Sequence, residues 1–126
     1  MEEHQSHSDL IKEAKEHLKA IFEESKQSIY LFLDDKNKIC NNKFAELLGY
    51  ESPEEWTNVK EPFTQTFVDD ESQEKLVSAY QNAMDDFIGS FIEVEWKKKT
   101  GGKVKTKVIL VPFLFNGHLF ALHFID

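Results

Sequence analysis

Several residue types are scarce in this chain, and each scarcity argues against a class of function. A single cysteine, Cys40, excludes an internal disulfide framework and a cysteine-based zinc cluster. All fifteen basic residues are lysine, so the planar guanidinium that suits phosphate and base-edge recognition is missing. No apolar run approaches the roughly 18 residues of a membrane span, and the acidic N-terminus is unlike a signal peptide. We therefore expect a cytoplasmic protein without a nucleic-acid or membrane partner.

The chain is rich in aromatic residues, and its charge is unevenly spread. Its 126 residues include eleven Phe, two Trp and three Tyr, which indicates one folded domain with a substantial core. The net charge is -8, yet residues 97–107 hold six lysines and no acid. A solvated hairpin that protects a sheet edge explains this lysine-rich segment more simply than an acidic partner does.

The segment 29–56 has the clearest local pattern in the sequence. Residues 29–34 alternate with the period of a strand, a polar turn follows, and a second short strand ends at Cys40. We expect one face of the first strand to point into the core and the other to point outward. The inward set is Ile29, Leu31 and Leu33, and the outward set is Tyr30 and Phe32.

Two short helices are predicted directly after these strands. Asn41 or Asn42 caps the first helix, which is amphipathic and ends at Gly49, where a left-handed residue is least costly. Ser52 opens the second helix with a capping box and a proline at the first helical position. These signals agree with one another, so the order of elements is well determined.

The second half of the chain predicts one long helix and three strands. The helix begins at a cap near Asp70, buries Phe87 among others, and ends at Gly89. Strands follow over 90–99, 103–113 and 118–125, joined by glycine-containing hairpin turns. Together these elements predict an α+β fold with a five-stranded antiparallel sheet and helices on one face.

The order of elements, with the signature formed by Asn41, Phe44, Gly49 and Tyr50, closely resembles that of the PAS family. The resemblance covers roughly residues 28–126. It implies a sensory or interaction module that binds a small molecule or a partner protein and signals through the packing of its sheet and flanking helix. PAS domains often dimerise, so the resemblance also implies that this chain forms a homodimer.

The N-terminal segment is predicted to be a separate amphipathic element. We divide the chain into a flanking or dimerisation helix, residues 1–27, and a PAS-like domain, residues 28–126. Ile11, Ala14, Leu18 and Ile21 form a short apolar seam. Either this helix packs on its own domain or two copies form a coiled coil.

Two sets of candidate site residues follow. An inner ligand pocket would be lined by Leu31, Leu33, Phe44, Leu48, Phe67, Leu76, Tyr80, Ile92, Val94, Trp96 and Val108, although the same residues could form a filled core. The last strands are apolar on both faces, so the outer sheet face needs a cover. The flanking-helix or dimer interface would comprise Ile11, Ala14, Leu18, Ile21, Phe22, Tyr30, Phe32, Ile109, Val111, Phe113, Leu119 and Ala121.

The sequence does not identify a cofactor. Light-sensing PAS relatives bond flavin through a cysteine in a motif that this chain lacks, so Cys40 is interpreted as a small buried residue. Haem-binding relatives use a histidine on the long helix, and residues 70–88 contain none. His118 and His123 lie five apart on one strand, so they point to opposite faces and cannot share a metal. Neither haem nor covalently bound flavin is supported.

The sequence leaves three functions open. The first is a non-catalytic sensory module, and the second is a ligand-free dimerisation or interaction scaffold. The third is a small enzyme on a cone-like α+β sheet, which would need an acid, a histidine or a tyrosine facing the cavity. Only Tyr80 is predicted to do so, and no catalytic motif is present, so we expect no enzymatic activity.

Overall fold

The structure, a computed structural model, describes residues 6–126. Helices and strands occur in consecutive groups along this part of the chain: two helices, two strands, four helices and three strands. The helices are α1 (His7–His17), α2 (Lys19–Glu24), α3 (Asn42–Leu47), α4 (Pro53–Thr57), α5 (Phe63–Phe67) and α6 (Asp70–Asp86). The strands are β1 (Ser28–Asp34), β2 (Asn37–Cys40), β3 (Ser90–Lys97), β4 (Lys103–Phe115) and β5 (His118–Ile125).

The strands form one sheet in the order β2-β1-β5-β4-β3, and every neighbouring pair is antiparallel. The first strand therefore lies beside the last, and the helices α3–α6 are inserted between β2 and β3. The predicted α+β architecture with a five-stranded antiparallel sheet is confirmed.

The local signals at α3 and α4 are also confirmed. Asn41 Oδ1 accepts a hydrogen bond from the Phe44 N–H at 3.1 Å, which caps α3. Ser52 Oγ accepts from the Glu55 N–H at 3.1 Å, which caps α4. Gly49 follows α3 with a φ of +85°, the conformation that favours glycine.

The predicted end of α6 was wrong. The helix ends at Asp86, and Phe87 adopts the left-handed conformation with a φ of 58° and is 60% exposed rather than buried. At the other end of α6, Asp69 is the cap, and its side chain accepts a hydrogen bond from the Glu71 N–H. Gly89 has a different role, since a Cβ there would lie 3.2 Å from the Leu110 carbonyl oxygen. Glycine at this position lets the chain pass close to β4.

The sheet separates two apolar layers, which we call the inner and outer faces. On the inner face, α3–α6 pack over residues from all five strands, including Tyr30, Trp96 and Leu110. On the outer face, α1 and α2 pack over a second cluster. That cluster comprises Leu10, Ile11, Ala14, Leu18, Phe22, Ile29, Leu31, Ile39, Phe120 and Leu122.

The predicted faces of β1 were therefore interchanged. Tyr30 and Phe32 belong to the inner face, whereas Ile29, Leu31 and Leu33 belong to the outer face. The physical reason is that both faces of β1 are apolar, so alternation alone does not say which face meets which layer.

The same error affected β5. Ala121 packs in the inner cluster instead of the outer one, and Leu119 lies two residues earlier on the same side of the strand. Val111 and Phe113 of β4 do lie on the outer face, as expected. Ile109 shares that face but is 42% exposed.

The N-terminal segment is two helices instead of the single predicted one. The helix is interrupted at Leu18, which lies between α1 and α2. Ile11, Ala14, Leu18 and Phe22 are buried on the outer sheet face of the same chain, whereas Ile21 is 47% exposed. The first five residues of the predicted helix lie outside the described residues. No helix in the described part of the chain is long and apolar enough to cross a membrane.

Candidate ligand cavity

A cavity of about 180 Å³ lies on the inner face, between the sheet and the helices α5 and α6. It is smaller than the roughly 300–1,000 Å³ of pockets that hold drug-sized ligands. Its lining is mostly aromatic and aliphatic, with a few polar groups. The lining residues are Tyr30, Phe32, Asp35, Pro62, Phe63, Thr64, Leu76, Val77, Tyr80 and His123.

The sheet contributes Tyr30 and His123 to this cavity. These residues are opposite each other in the β1–β5 ladder, and both side chains are buried. Burial lowers the pKa of His123 to about 3 and raises that of Tyr30 well above its usual value. Both groups are therefore neutral at physiological pH.

Three aromatic side chains enclose another part of the cavity. The Phe32 ring stands nearly perpendicular to the Phe63 ring, with centroids 5.1 Å apart, and to the Tyr80 ring, with centroids 5.6 Å apart. Burial, with the negative charges of Asp34 and Asp35, raises the pKa of Tyr80. The hydroxyl of Tyr80 is therefore a neutral hydrogen-bonding group.

The turn between β1 and β2 contacts both layers of the molecule. On the cavity side, Asp35 Oδ1 accepts a hydrogen bond from the Phe63 N–H at 3.0 Å, at the start of α5. On the other side, His7 Nδ1 of α1 donates to Asp34 Oδ2 at 2.6 Å. Partial burial raises the pKa of Asp34, but hydrogen bonds from His7 and Asn37 outweigh it, so the pKa lies below its usual value. Two adjacent carboxylates thus connect the cavity wall and the N-terminal helix.

A buried lysine, Lys38, supports this turn from the next strand. Its ammonium donates to the carbonyl oxygens of Asp35, Thr57 and Val59, and it lies 5.1 Å from the centroid of the Trp56 ring. Burial, followed by repulsion from Lys60, lowers the pKa of Lys38 to about 8. The strand pattern gave no indication of this buried charge.

The predicted pocket residues fall into three groups. Leu76 and Tyr80 line the cavity. Seven others lie in the inner cluster away from the cavity lining: Phe44, Leu48, Phe67, Ile92, Val94, Trp96 and Val108. Leu31 and Leu33 lie on the opposite face of the sheet and were wrongly included.

Much of the predicted pocket is a filled aromatic core. The Phe44 ring lies 5.3 Å from the rings of both Trp56 and Trp96. Trp96 Nε1 donates to Thr106 Oγ1 at 2.7 Å, which satisfies its polar atom. The open volume is confined to the side of the core next to α5 and α6.

The sequence prediction missed most of the cavity's polar groups. Tyr80 was expected to be the only inward polar side chain, but Tyr30, Asp35, Thr64 and His123 also line the cavity. A histidine within the apolar strand 118–125 was the available signal for one of them. Asp35 could not be found in this way, because acidic residues in a tight turn are common for local reasons.

In the part of the chain that the structure describes, the groups outside the cavity do not form a metal site or a reactive thiol. Cys40 is buried, and burial raises the pKa of its thiol strongly. Among residues 6–126, no group of three or more histidine, cysteine or acidic side chains is placed to hold a metal ion. His118 and His7 approach one another with ring centroids 6.3 Å apart, near the surface.

Comparisons with solved structures identify the fold. A PAS domain of an HTR-like protein from Haloarcula marismortui matches with a TM-score of 0.63 and 20% identity, covering 92% of this chain and 93% of that one. A PAS domain from Colwellia psychrerythraea matches with a TM-score of 0.64 and 17% identity, covering 94% and 96%.

A PAS-B domain of Drosophila melanogaster Cycle, solved with bound ethylene glycol, matches with a TM-score of 0.64 and 10% identity. That match covers 79% of this chain and 97% of the other. No protein-family profile and no curated protein matches the sequence. The structural likeness shows that the chain has the PAS fold.

Proposed function

We propose that this chain, a domain with the PAS fold, is a sensory module whose inner cavity binds a small molecule. The observation that carries the proposal is the cavity of about 180 Å³ with its mixture of aromatic walls and a few polar groups. Ligand sites combine an apolar lining with a small number of placed polar groups in this way. The N-terminal helices are the proposed output element.

The β1–β2 turn provides a contact route from the cavity to those helices. A ligand that displaces α5 acts on Asp35, whose carboxylate holds the Phe63 N–H. Asp34 is the adjacent residue, and its carboxylate holds His7 at the start of α1. A ligand that favours one arrangement of the turn therefore shifts the population of docked and undocked α1.

A screen of small metabolites by thermal shift and native mass spectrometry tests ligand binding. We expect at least one compound to raise the melting temperature and to appear as a mass adduct. Leu76→Trp, which fills the cavity, should abolish both effects, whereas Ile21→Trp at an exposed site on α2 should not. If no compound binds, or if Leu76→Trp retains binding, the proposed cavity is not the sensory site.

Amide hydrogen exchange tests whether ligand binding in the cavity changes the docking of α1. Ligand should change exchange in α1 of the wild-type protein, and the change should be smaller in Asp34→Asn, which weakens the contact with His7. Asp85→Asn, at the distant end of α6, serves as the matched control. An equal response in both variants would contradict the route through the turn.

A ligand-free dimerisation scaffold is the second candidate function. It is favoured by the outer face of β3 and β4, which α1 and α2 leave open. Phe91 is 70% exposed there and is paired across the strands with Ile109, which is 42% exposed. Sedimentation analysis tests this candidate, since Phe91→Lys should abolish a dimer and the control Leu114→Lys should not. A wild-type protein that stays monomeric at high concentration would exclude it.

A further inference from the structure

We propose that the cavity selects a small organic cation of the alkylammonium class. The inference rests on the proposed ligand-binding function and adds the charge and chemical class of the ligand. Two features of the lining carry it: a group of aromatic rings and a single carboxylate.

The first feature is the arrangement of the rings. Tyr30, Phe32, Phe63 and Tyr80 all line the cavity, and Phe32 is nearly perpendicular to both Phe63 and Tyr80. The Tyr30 ring lies 5.3 Å from the Phe63 ring, so the four side chains form a continuous group. Aromatic faces attract cations through their quadrupole, and sets of rings around one site are a known means of binding alkylated ammonium groups.

The second feature is the charge of the lining. Among the described residues that line the cavity, Asp35 supplies a carboxylate and no lysine is present. Asp35 Oδ1 is held by the Phe63 N–H, so the carboxylate is fixed beside the aromatic group. The combination of fixed negative charge and aromatic rings favours a cation and opposes an anion.

Neither His123 nor Lys38 places a positive charge in the cavity. His123 is neutral, since burial lowers its pKa to about 3. The Lys38 ammonium interacts electrostatically with Asp35, but it is not part of the lining. Its hydrogen bonds go to the carbonyl oxygens of Asp35, Thr57 and Val59 and leave the Asp35 carboxylate available to a ligand. The net charge of -8 adds a general attraction for cations.

The size of the cavity limits the ligand. A volume of about 180 Å³ corresponds to about six water molecules at their ~30 Å³ share of liquid volume. A quaternary ammonium with short substituents fits such a space, whereas a longer substituent would extend out of the cavity into solvent, beside the exposed Val77.

Three probes of nearly the same shape but different charge test the inference by calorimetry. They are choline, its uncharged isostere 3,3-dimethylbutan-1-ol, and the anion 3,3-dimethylbutanoate. We expect choline to bind at least about tenfold more tightly than the neutral isostere, and the anion to bind most weakly. The protein is used as the full chain.

Variants assign the preference to the two features. Asp35→Asn keeps an oxygen that accepts from the Phe63 N–H but removes the charge, so it should reduce choline affinity about tenfold and leave the neutral probe nearly unchanged. Phe32→Leu removes a ring and should also lower choline affinity. Asp85→Asn is the charge-matched control. Thermal melts establish that each variant is folded, and Tyr80→Leu replaces Phe32→Leu if that variant is not.

The outcomes separate this inference from the proposed function. Equal affinity for choline and its neutral isostere, or tighter binding of the anion, overturns the cation preference while leaving a ligand-binding cavity. Absence of choline binding overturns it as well, and the metabolite screen then decides the proposed function independently. Choline binding that Asp35→Asn and Phe32→Leu leave unchanged would also overturn the inference, because it would place the cation elsewhere.

Discussion

The ring of Tyr30 stacks on the ring of His123, with centroids 3.8 Å apart and 13° between their planes. The stack joins the first strand to the last at the wall of the cavity. His123 Nδ1 donates to the Ala121 carbonyl oxygen at 3.1 Å, which is consistent with a neutral imidazole. This pair therefore combines a structural contact with a buried titratable group, and its pH dependence can be measured.

Acidification should destabilise the fold through His123. Its pKa is about 3 in the folded chain and about 6.5 when unfolded, so the unfolded state binds more protons between these values. The contribution of neutral His123 to the free energy of unfolding is fully present above pH 6.5. It falls towards pH 3 by at most about 1.4 kcal/mol per pH unit. Urea unfolding of His123→Phe over this range should show a weaker pH dependence. The exposed-site control His17→Gln should retain the wild-type slope, and identical slopes for all three proteins would contradict the prediction.

At alkaline pH, we expect the stability of the fold to depend on the protonation of Lys38. Its folded pKa of about 8 lies below the ordinary value of 10.5, so the unfolded state binds more protons between them. The contribution of Lys38 to stability should therefore rise as the pH increases from 8 to 10.5. Chemical denaturation of Lys38→Met should lack this component, whereas Lys12→Met, at an exposed site on α1, should keep it. A wild-type slope in Lys38→Met would show that the ammonium is not desolvated.

Asn41 predicts a large loss of stability from a single polar truncation. Its Oδ1 accepts from the N–H groups of Ile29 and Phe44, and its Nδ2 donates to the Gln27 carbonyl oxygen. Asn41→Ala removes all three bonds at a buried site and should cost about 2–4 kcal/mol in the free energy of unfolding. Its exposed neighbour is the control, since Asn42→Ala should change stability by less than about 0.5 kcal/mol. Equal effects in a denaturation series would refute the assigned role.

Phe87 predicts a stabilising substitution. It is the residue after α6 and has a φ of 58°, which is strained for a side chain with a Cβ. Phe87→Gly should raise the free energy of unfolding by about 0.5–1 kcal/mol, because glycine adopts this conformation without the steric cost. Ile88→Gly, at an adjacent residue outside the left-handed region, should not stabilise. Thermal and urea unfolding measure both, and a destabilised Phe87→Gly would contradict the strain.

Local residue chemistry was sufficient to predict much of the fold. The caps at Asn41 and Ser52 and the left-handed Gly49 depend on interactions within a few residues, so their positions follow from the sequence. The strands β3 and β4 were also placed on the correct faces, since charged residues alternate with apolar ones along Glu93–Trp96 and Lys103–Val108. Because charged side chains favour solvent, their alternation shows which face of each strand points away from the core.

The lining of the candidate cavity was harder to predict from the sequence. Its lining comes from β1, β5, α5, α6 and the turn at Asp35, and only packing brings these together. Leu76 and Tyr80 were predicted because they lie on the apolar face of a long helix. Phe63 was not, because the short helix α5 has too few residues to show a period.

The sequence by itself determined the order of the five strands and of the helices α3, α4 and α6, the antiparallel α+β architecture and the caps of α3 and α4. These follow from local conformational preferences and hydrophobic period. Only the tertiary structure decided which face of β1 and β5 meets which layer of helices. Both faces of these strands are apolar, so a shift by one residue leaves the pattern equally satisfied. Packing places Tyr30 and His123 against the cavity and Leu31 beneath α1, and it buries Lys38 among backbone carbonyl oxygens that no local pattern brings together.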